Sequence, residues 1–460
     1  MIARDFIPRP YGQMITDHIH NVDRGAVWAG MGMGKTISTL NAVNDIQLVD
    51  DRPALVLAPL RVARDTWRDE ARKWNHTRHL QVMPIVGSLA ERQRALKADA
   101  HIYTINYEQI PWLVSHYEGR AWPFATVVAD ESTKLKGFRL RQGTQRAKAL
   151  AQVAHSKVSR FIELTGTPSP NGLADLWGQI WFLDRGQRLG KTFDAFRQRW
   201  FEKSYDGFSI NPKDHAQAQI QAALRDLCIT VEAKDWFDLR EPVVVNLYVD
   251  LPARARALYE DMEKRMFMEI EEHAVEAFGA AARTGKCLQL ANGAAYVGEG
   301  SKDWREVHDA KIQVLEELVE ESAGAPVLVA INFKSDKARL LAAFPGALDL
   351  STVQGLKDAQ AGRGRVWLGH PASMGHGVDG LQYHCNILAF FGHDWNLENR
   401  LQMIERIGPT RQMQAGKDRA MFIYNILARD TVDEMVLERV TSKREVQDIL
   451  LEAMKIRRGK

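Results

Sequence analysis

Short runs of apolar and β-branched residues recur along the chain. Each is followed by a turn and then by a stretch with apolar residues at helical spacing. In the first part the runs are GAVWA (25–29), ALVLA (54–58), HIYTI (101–105), ATVVA (125–129) and RFIEL (160–164), and TWRDEARKW is representative of the stretches between them. Strands alternating with helices predict a parallel sheet covered by helices on both faces. The pattern returns as VLVAI (327–331), RVWLG (365–369), NILAFF (386–391) and MFIYNI (421–426), so the chain reads as two α/β lobes.

Between the lobes the character changes. Residues 176–240 are rich in Trp, Phe and Arg and read as helical and irregular. VVVNLYVDL (243–251) predicts a strand bounded by Pro242 and Pro252. From Ala253 to about Ala282 opposite charges at three- and four-residue spacing predict one long helix, read as a solvated brace. The predicted organisation is a first lobe over 1–184, a helical insertion over 185–240, a linking strand and brace over 241–310, and a second lobe over 311–460. KIRRGK at 455–460 reads as a frayed basic tail.

Composition narrows the class. Hydrophobic content of 45% and charged content of 26% are those of an ordinary globular protein. A net charge of +3 excludes a polycation but leaves room for a basic groove. Cys228, Cys287 and Cys385 form no CxxC pair, which argues against a disulfide framework or zinc site and fits a reducing compartment. MIARDFIPRPYG lacks a signal-peptide pattern, and no long apolar run predicts a membrane span, so the expected location is cytoplasmic. His370 and His376 stand in HPASMGHGVDGLQ (370–382) with no cysteine or carboxylate cluster nearby and read as non-ligands.

The first chemical signal is WAGMGMGKT (28–36), a strand end, three glycines, and then Lys35 and Thr36 opening a helix. This is the phosphate-loop pattern with Ala29 in place of its first glycine. Gly30, Gly32 and Gly34 let backbone N–H groups converge on phosphate, with the helix N-terminus behind them. Lys35 is placed to reach the β- and γ-phosphates and Thr36 to offer a hydroxyl to magnesium. GQRLGKT (186–192) also ends in GKT, but only three residues separate its glycines and no apolar run precedes it, so it reads as a loop. ATVVADEST then ends a strand in Asp130 and Glu131, at the carboxyl edge where open α/β sheets bind ligands. Asp130 can hold magnesium while Glu131 polarises an attacking water, which favours hydrolysis over phosphoryl transfer to another acceptor.

Together these residues resemble superfamily-two helicases of the Swi/Snf-like DNA-translocase branch, in order over nearly the whole chain. RPYGQ (9–13) is similar to the adenine-side motif, with Gly12 where its glutamine usually stands and Gln13 next; Tyr11 and Gln13 are its implied base-side residues. LAPLRVARDTW (57–67) and YTINYE (103–108) resemble the motifs that grip a nucleic-acid backbone, DESTKLKG (130–137) the DExx box, and LTGTP (164–168) the motif coupling hydrolysis to strand movement. LWGQIWFLDRGQRLGKTFDAFRQRWF (176–201) and LQLANGAAY (288–296) resemble helical insertions of the branch. In the second lobe, INFKSD (331–336), HPASMGHGVDGLQ (370–382) and WNLENRLQMIERIGPTRQ (395–412) resemble motifs four, five and six. In the last, Gln402 and Arg406 match, while Pro409 occupies the usual second arginine; a Pro409 turn is expected to present Arg411 instead.

The resemblance implies two RecA-like lobes with parallel sheets joined by helical insertions. ATP and Mg2+ would bind lobe one, and lobe two would complete the site with Gln402, Arg406 and Arg411. DNA, duplex in preference to single strand or RNA, would be held through Arg61, Asn106, Thr165, Lys334 and Ser373 by a monomeric motor. Compact bacteriophage proteins of the branch carry similar variants. A strand-separating helicase and an ATP-gated assembly factor with little motor activity stand as alternatives.

Overall fold

The computed structural model describes residues 5–30, 32–166, 168–169, 172–203, 210–232, 235–236, 239–272, 284–296, 303–374, 378–417 and 419–442. The chain divides into two compact units, Met1–Phe237 and Asp238–Lys460.

The first unit is built on a seven-stranded sheet. In chain order its strands are β1 (Arg24–Ala29), β2 (Ala54–Ala58), β3 (Val82–Ile85), β4 (Ile102–Asn106), β5 (Thr126–Asp130) and β6 (Arg160–Thr165). A short antiparallel hairpin of β7 (Phe201–Lys203) and β8 (Ile210–Pro212) follows, and then β9 (Cys228–Val231). The sheet runs β3-β4-β2-β5-β6-β1-β9 with every pairing parallel. Successive side chains on a strand face opposite sides, so Val127, Ala129 and Phe161 enter one core and Val128, Ile162 and Leu164 the other. All five predicted strands form within a residue of their predicted ends. The segment 185–240, expected to be a helical insertion, is helical only in part, because the hairpin and β9 lie within it. Ala26 to Ala29 of β1 pair with Cys228 to Val231, so β9 completes the first sheet. The GQRLGKT segment is a loop: a Cβ on Gly186 would lie 2.4 Å from the Gly190 carbonyl oxygen, and Asp184 accepts from the Gly186 and Arg188 amides.

The second unit holds a six-stranded parallel sheet. Its strands are β10 (Val243–Val249), then, after a small antiparallel pair β11 (Ala294–Tyr296) and β12 (Trp304–Glu306), β13 (Val327–Ala330), β14 (Leu348–Asp349), β15 (Val366–Gly369), β16 (Ile387–Phe390) and β17 (Phe422–Ala428). The order is β10-β17-β16-β13-β15-β14. The strand read as a linker is therefore an edge strand of this sheet, in register with β17 from Val243↔Phe422 to Val249↔Ala428. The long helix runs over Ala253–Glu272; the rest of its expected span, like the KIRRGK tail and His376, lies outside the described residues. It is docked as well as solvated: Ala255, Tyr259 and Met266 are buried in the core of the unit, and the Tyr259 hydroxyl accepts from the Val432 amide at 2.7 Å. Among the described residues no helix is long and apolar enough to cross a membrane.

Candidate nucleotide site

β1 delivers the chain to the glycine loop. Gly32 and Gly34 have φ of 78° and 70°, left-handed values that a side chain resists, and Gly34 is the N-cap of the helix Lys35–Ile46. Met33, fully buried, pegs the loop into the core. The Lys35 ammonium donates to the carbonyls of Ala29 at 2.5 Å and Gly30 at 3.0 Å, folding the side chain across the mouth of its own loop. Thr36, on the first turn, is half-buried. The loop therefore combines three things phosphate needs: glycines with free choice of φ, a helix N-terminus, and a cation folded onto the loop's own carbonyls.

Tyr11 borders this loop. A Cβ on Gly34 would sit 3.8 Å from its ring. The Tyr11 ring meets Trp236 edge-on with centroids 5.7 Å apart, and its hydroxyl accepts from Arg9 at 3.0 Å. Trp236, half-exposed at 37%, is a base-sized aromatic that the sequence reading missed, because nothing local in the string ties it to Tyr11. Gln13 is elsewhere. Gly12 packs so closely on the Lys35–Ile46 helix that a Cβ would meet Ser38 Oγ at 3.2 Å; the next residue then points outward. Gln13 is exposed, donates to Asp17 at 2.8 Å, and lines a separate cleft with Phe6, Asn41, Asn44 and His76.

The carboxylates stand at the end of β5, two strands from β1 and so roughly 10 Å across the sheet. Asp130 accepts from the indole N–H of fully buried Trp67 at 2.9 Å. Burial raises its pKa; the Trp67 bond and the nearby Lys35 charge oppose that rise. Glu131 follows with φ 61° and ψ 60°, a left-handed backbone on a non-glycine residue. Such a posture costs on the order of 1–3 kcal/mol and persists only where the surroundings enforce it. Part of the enforcement is Tyr107, whose hydroxyl donates to the Asp130 carbonyl at 3.0 Å and lies 3.4 Å from that of Glu131. Burial first, then the carboxylates of Asp130, Glu163 and Glu131, hold this phenol well above its ordinary pKa, so it remains a neutral donor. Trp67 and Tyr107 both lie inside stretches read as nucleic-acid motifs, and their hydrogen bonds run to the carboxylate turn.

Of the candidate nucleic-acid residues of this unit, Arg61 follows β2, and Asn106 and Thr165 end β4 and β6, at the same carboxyl edge. Arg61 is half-buried after β2. Asn106 and Thr165 are 7% and 0% exposed, and Asn106 donates to Glu108 at 3.0 Å. In this conformation neither offers its side chain to a polymer, because strand-end positions facing the helical layer are covered by it. Both would have to be uncovered to act as contact residues.

In the second unit two of the candidates follow strands at the carboxyl edge. Lys334 opens the helix after β13, exposed, and Ser373, also exposed after β15, donates to the His370 carbonyl at 2.8 Å. Gln402 and Arg406 lie on and just after the helix Leu397–Glu405, both buried, with Arg406 donating to the Val378 carbonyl at 2.7 Å. Pro409 makes no turn that extends a side chain. Its fixed φ suits the first position of a helix, and it opens Pro409–Gln414 with Gly408 as N-cap. Arg411 on that helix is ion-paired with Asp379. Both arginines are thus anchored on the 378–379 stretch. Among the described residues no cluster of His, Cys, Asp and Glu suits a metal by itself.

Residues 18–290 match the SNF2-related domain, more than half of the chain. The chain belongs to the SNF2-related family. That family consists of nucleic-acid-dependent ATPases, and each unit of this chain carries a parallel sheet. This SNF2-related chain is 52% identical over 460 residues to protein p41 of Acyrthosiphon pisum secondary endosymbiont phage 1, covering 98% of this chain and 99% of that protein. It is 21% identical to the ISWI chromatin-remodeling complex ATPase ISW1 of Saccharomyces cerevisiae over 92% of its own length, but spans only 38% of ISW1. A solved SWI2/SNF2 ATPase core from Sulfolobus solfataricus, in complex with dsDNA, aligns with TM-score 0.45 at 20% identity, over 96% of this chain and 92% of that one.

Proposed function

We propose that this protein hydrolyses ATP at the Lys35 loop and uses the cycle to translocate on double-stranded DNA. The observation that carries the reading is the pairing of a phosphate loop with Asp130 and a backbone-strained Glu131 two strands away on the same sheet edge. Lys35 exchanges the Ala29 and Gly30 carbonyls for β- and γ-phosphate oxygens, and the amides of the loop and helix start cradle the same charge. Tyr11 and Trp236 offer the adenine ring a flat, apolar margin. Glu131, held in place by its turn, accepts a proton from the attacking water. The residues also fit a divalent cation: Asp130 is a buried carboxylate at the strand end, and Thr36 offers a hydroxyl on the first turn of the helix that Gly34 caps. Magnesium held by Thr36 and Asp130 would neutralise charge on the phosphate oxygens.

Arg406 and Arg411 are the proposed source of transition-state charge stabilisation from the second lobe, with Gln402 beside them, an arginine in that role being worth about 10³–10⁵ in rate. Arg61, Lys334 and Ser373 are the proposed backbone contacts, sequence-independent and weakened by salt. Membership of a nucleic-acid-dependent family, and the chromatin-remodelling role carried in the name of ISW1, support duplex DNA as the track.

The test is ATPase turnover measured with no nucleic acid, single-stranded DNA, duplex DNA and RNA in parallel. Duplex is expected to stimulate most, Glu131→Gln to abolish turnover, and Arg411→Ala to lower the stimulated rate by about 10³. Full stimulated turnover in Arg411→Ala would leave Arg406 as the arginine. Turnover indifferent to every nucleic acid would favour an ATP-gated assembly factor, and separation of a forked duplex would make the protein an unwinding helicase.

A further inference from the structure

The turn that carries Glu131 is physically tied to the T-G-T-P loop through a residue outside both. Ser132, next to Glu131 and fully buried, donates its hydroxyl to Gln179 Oε1 at 2.8 Å. Gln179, on the helix Leu176–Asp184 and 1% exposed, donates from Nε2 to the Pro168 carbonyl at 2.7 Å and to the Asp175 carbonyl at 2.9 Å. The amide thus uses both N–H donors and its oxygen. Its orientation is forced, because the flipped amide would aim an oxygen at two carbonyls.

The helix around it lies directly on the carboxylate turn. A Cβ on Gly178 would fall 2.5 Å from the Lys136 carbonyl oxygen and 2.7 Å from that of Leu135. Lys136 and Asp175 add an ion pair at 3.5 Å. A glutamine at position 179 is not needed to fill this space, since Leu176, Ile180 and Leu183 of the same helix are already buried apolar residues. Its polarity must answer to something else, and a buried polar group is retained only if its partners are in place.

We propose that Gln179 is a positioning residue through which the loop after β6 sets the placement of Glu131, and that nucleic-acid stimulation of ATP hydrolysis passes through it. The inference rests on the reading of the chain as a DNA-stimulated ATPase. Displacement of the Pro168 carbonyl pulls on the Gln179 amide, the amide pulls on Ser132, and Ser132 is the immediate neighbour of a backbone held in a left-handed posture. A residue so held responds to small shifts, because its left-handed posture is a disfavoured one that the surroundings impose.

The experiment measures kcat, KM for ATP and duplex stimulation in wild type, Gln179→Leu, Gln179→Glu, Ser132→Ala and the Gln179→Leu/Ser132→Ala double variant, each with its Tm. Gln179→Leu removes all three hydrogen bonds, while Gln179→Glu keeps the acceptor for Ser132 and loses both donors. The ratio of stimulated to unstimulated kcat is expected to fall about tenfold in each single variant, the cost of roughly one well-formed buried hydrogen bond, with KM for ATP moved far less. The double variant is expected to be no worse than the poorer single one, because both cut the same chain. Should Gln179→Leu fail to fold, Gln179→Glu and Ser132→Ala carry the test. Stimulation ratios at wild-type level in both, or losses that multiply in the double variant, would overturn the relay while leaving the ATPase reading intact. A wild type indifferent to every nucleic acid removes that reading, and the relay with it.

Discussion

Glu163 stands at the middle of β6, level with Ala26 of β1 and Ala129 of β5. Its side chain is fully buried, and neither carboxyl oxygen has a hydrogen-bond partner. Burial pushes its pKa from 4.5 up to about 8, Arg24 opposing the rise and Asp184 adding to it. Arg24 gives only partial relief because its guanidinium donates to the carbonyls of Ala154, Val158, Phe182 and Leu183. A folded pKa above the unfolded one means a contribution to stability that is complete below about 4.5 and is lost as pH rises through 8. Across that window the folded state holds close to one more proton than the unfolded chain, so stability falls by about 1.4 kcal/mol per pH unit and levels off above it. The loss over the whole window is roughly 5 kcal/mol at most. Glu163→Gln keeps the shape and removes the titration. Denaturant titrations of both proteins between pH 5.5 and 9, at constant ionic strength, give the difference directly. That difference should grow in favour of the variant by about 1.4 kcal/mol per pH unit up to 8 and then stay flat. A difference independent of pH would mean that Glu163 is already ionised in the folded protein, and the burial argument would be wrong.

Two further outcomes test neighbouring features. Trp67→Phe removes the indole bond that lowers the Asp130 pKa, so the acid limb of the ATPase pH profile should move upward, by about one to two units for a charge-assisted bond of roughly 1.5–3 kcal/mol, and the Mg2+ requirement should rise; an acid limb in its wild-type place would separate Trp67 from the chemistry. In the second unit Lys311 and Asp433 are both fully buried and 2.6 Å apart, with Asn292 and the Phe391 carbonyl also accepting from Lys311. Lys311→Met should cost about 3–5 kcal/mol in a denaturant titration and Asp433→Leu added to it should recover part of that, because the larger penalty lies in the orphaned charge; a single-variant cost within about 1 kcal/mol would show that the pair is hydrated.

What the string disclosed and what it hid follow one physical division. Strand runs, the glycine loop and the DEST turn are local patterns, and a parallel sheet delivers every strand's carboxyl end to one edge, so chemistry read at strand ends arrives together. The edge strands β9 and β10 were misjudged because an edge strand is defined by its neighbour, and Ala26 or Phe422 lies far off in sequence from the partner it selects. Gln13 went astray for a helical reason: one residue turns the side chain by about 100°, so the extra step past Gly12 carries it off the face that Tyr11 shares with the loop. Pro409 was read as a turn when its ring equally suits the first position of a helix. The contacts of Trp67, Tyr107 and Gln179 have no local signature at all, since each partner is more than twenty residues distant or on another element. Yet a sign of them was present. RFIEL and LWGQIWFL each set one polar residue inside an apolar run, at positions whose neighbours are buried. A polar residue there carries a desolvation cost of a few kcal/mol unless something answers it. Gln179 has found that answer in Ser132 and Pro168 and Glu163 has not, which is why the first reads as a connector and the second as a proton kept on a buried carboxyl.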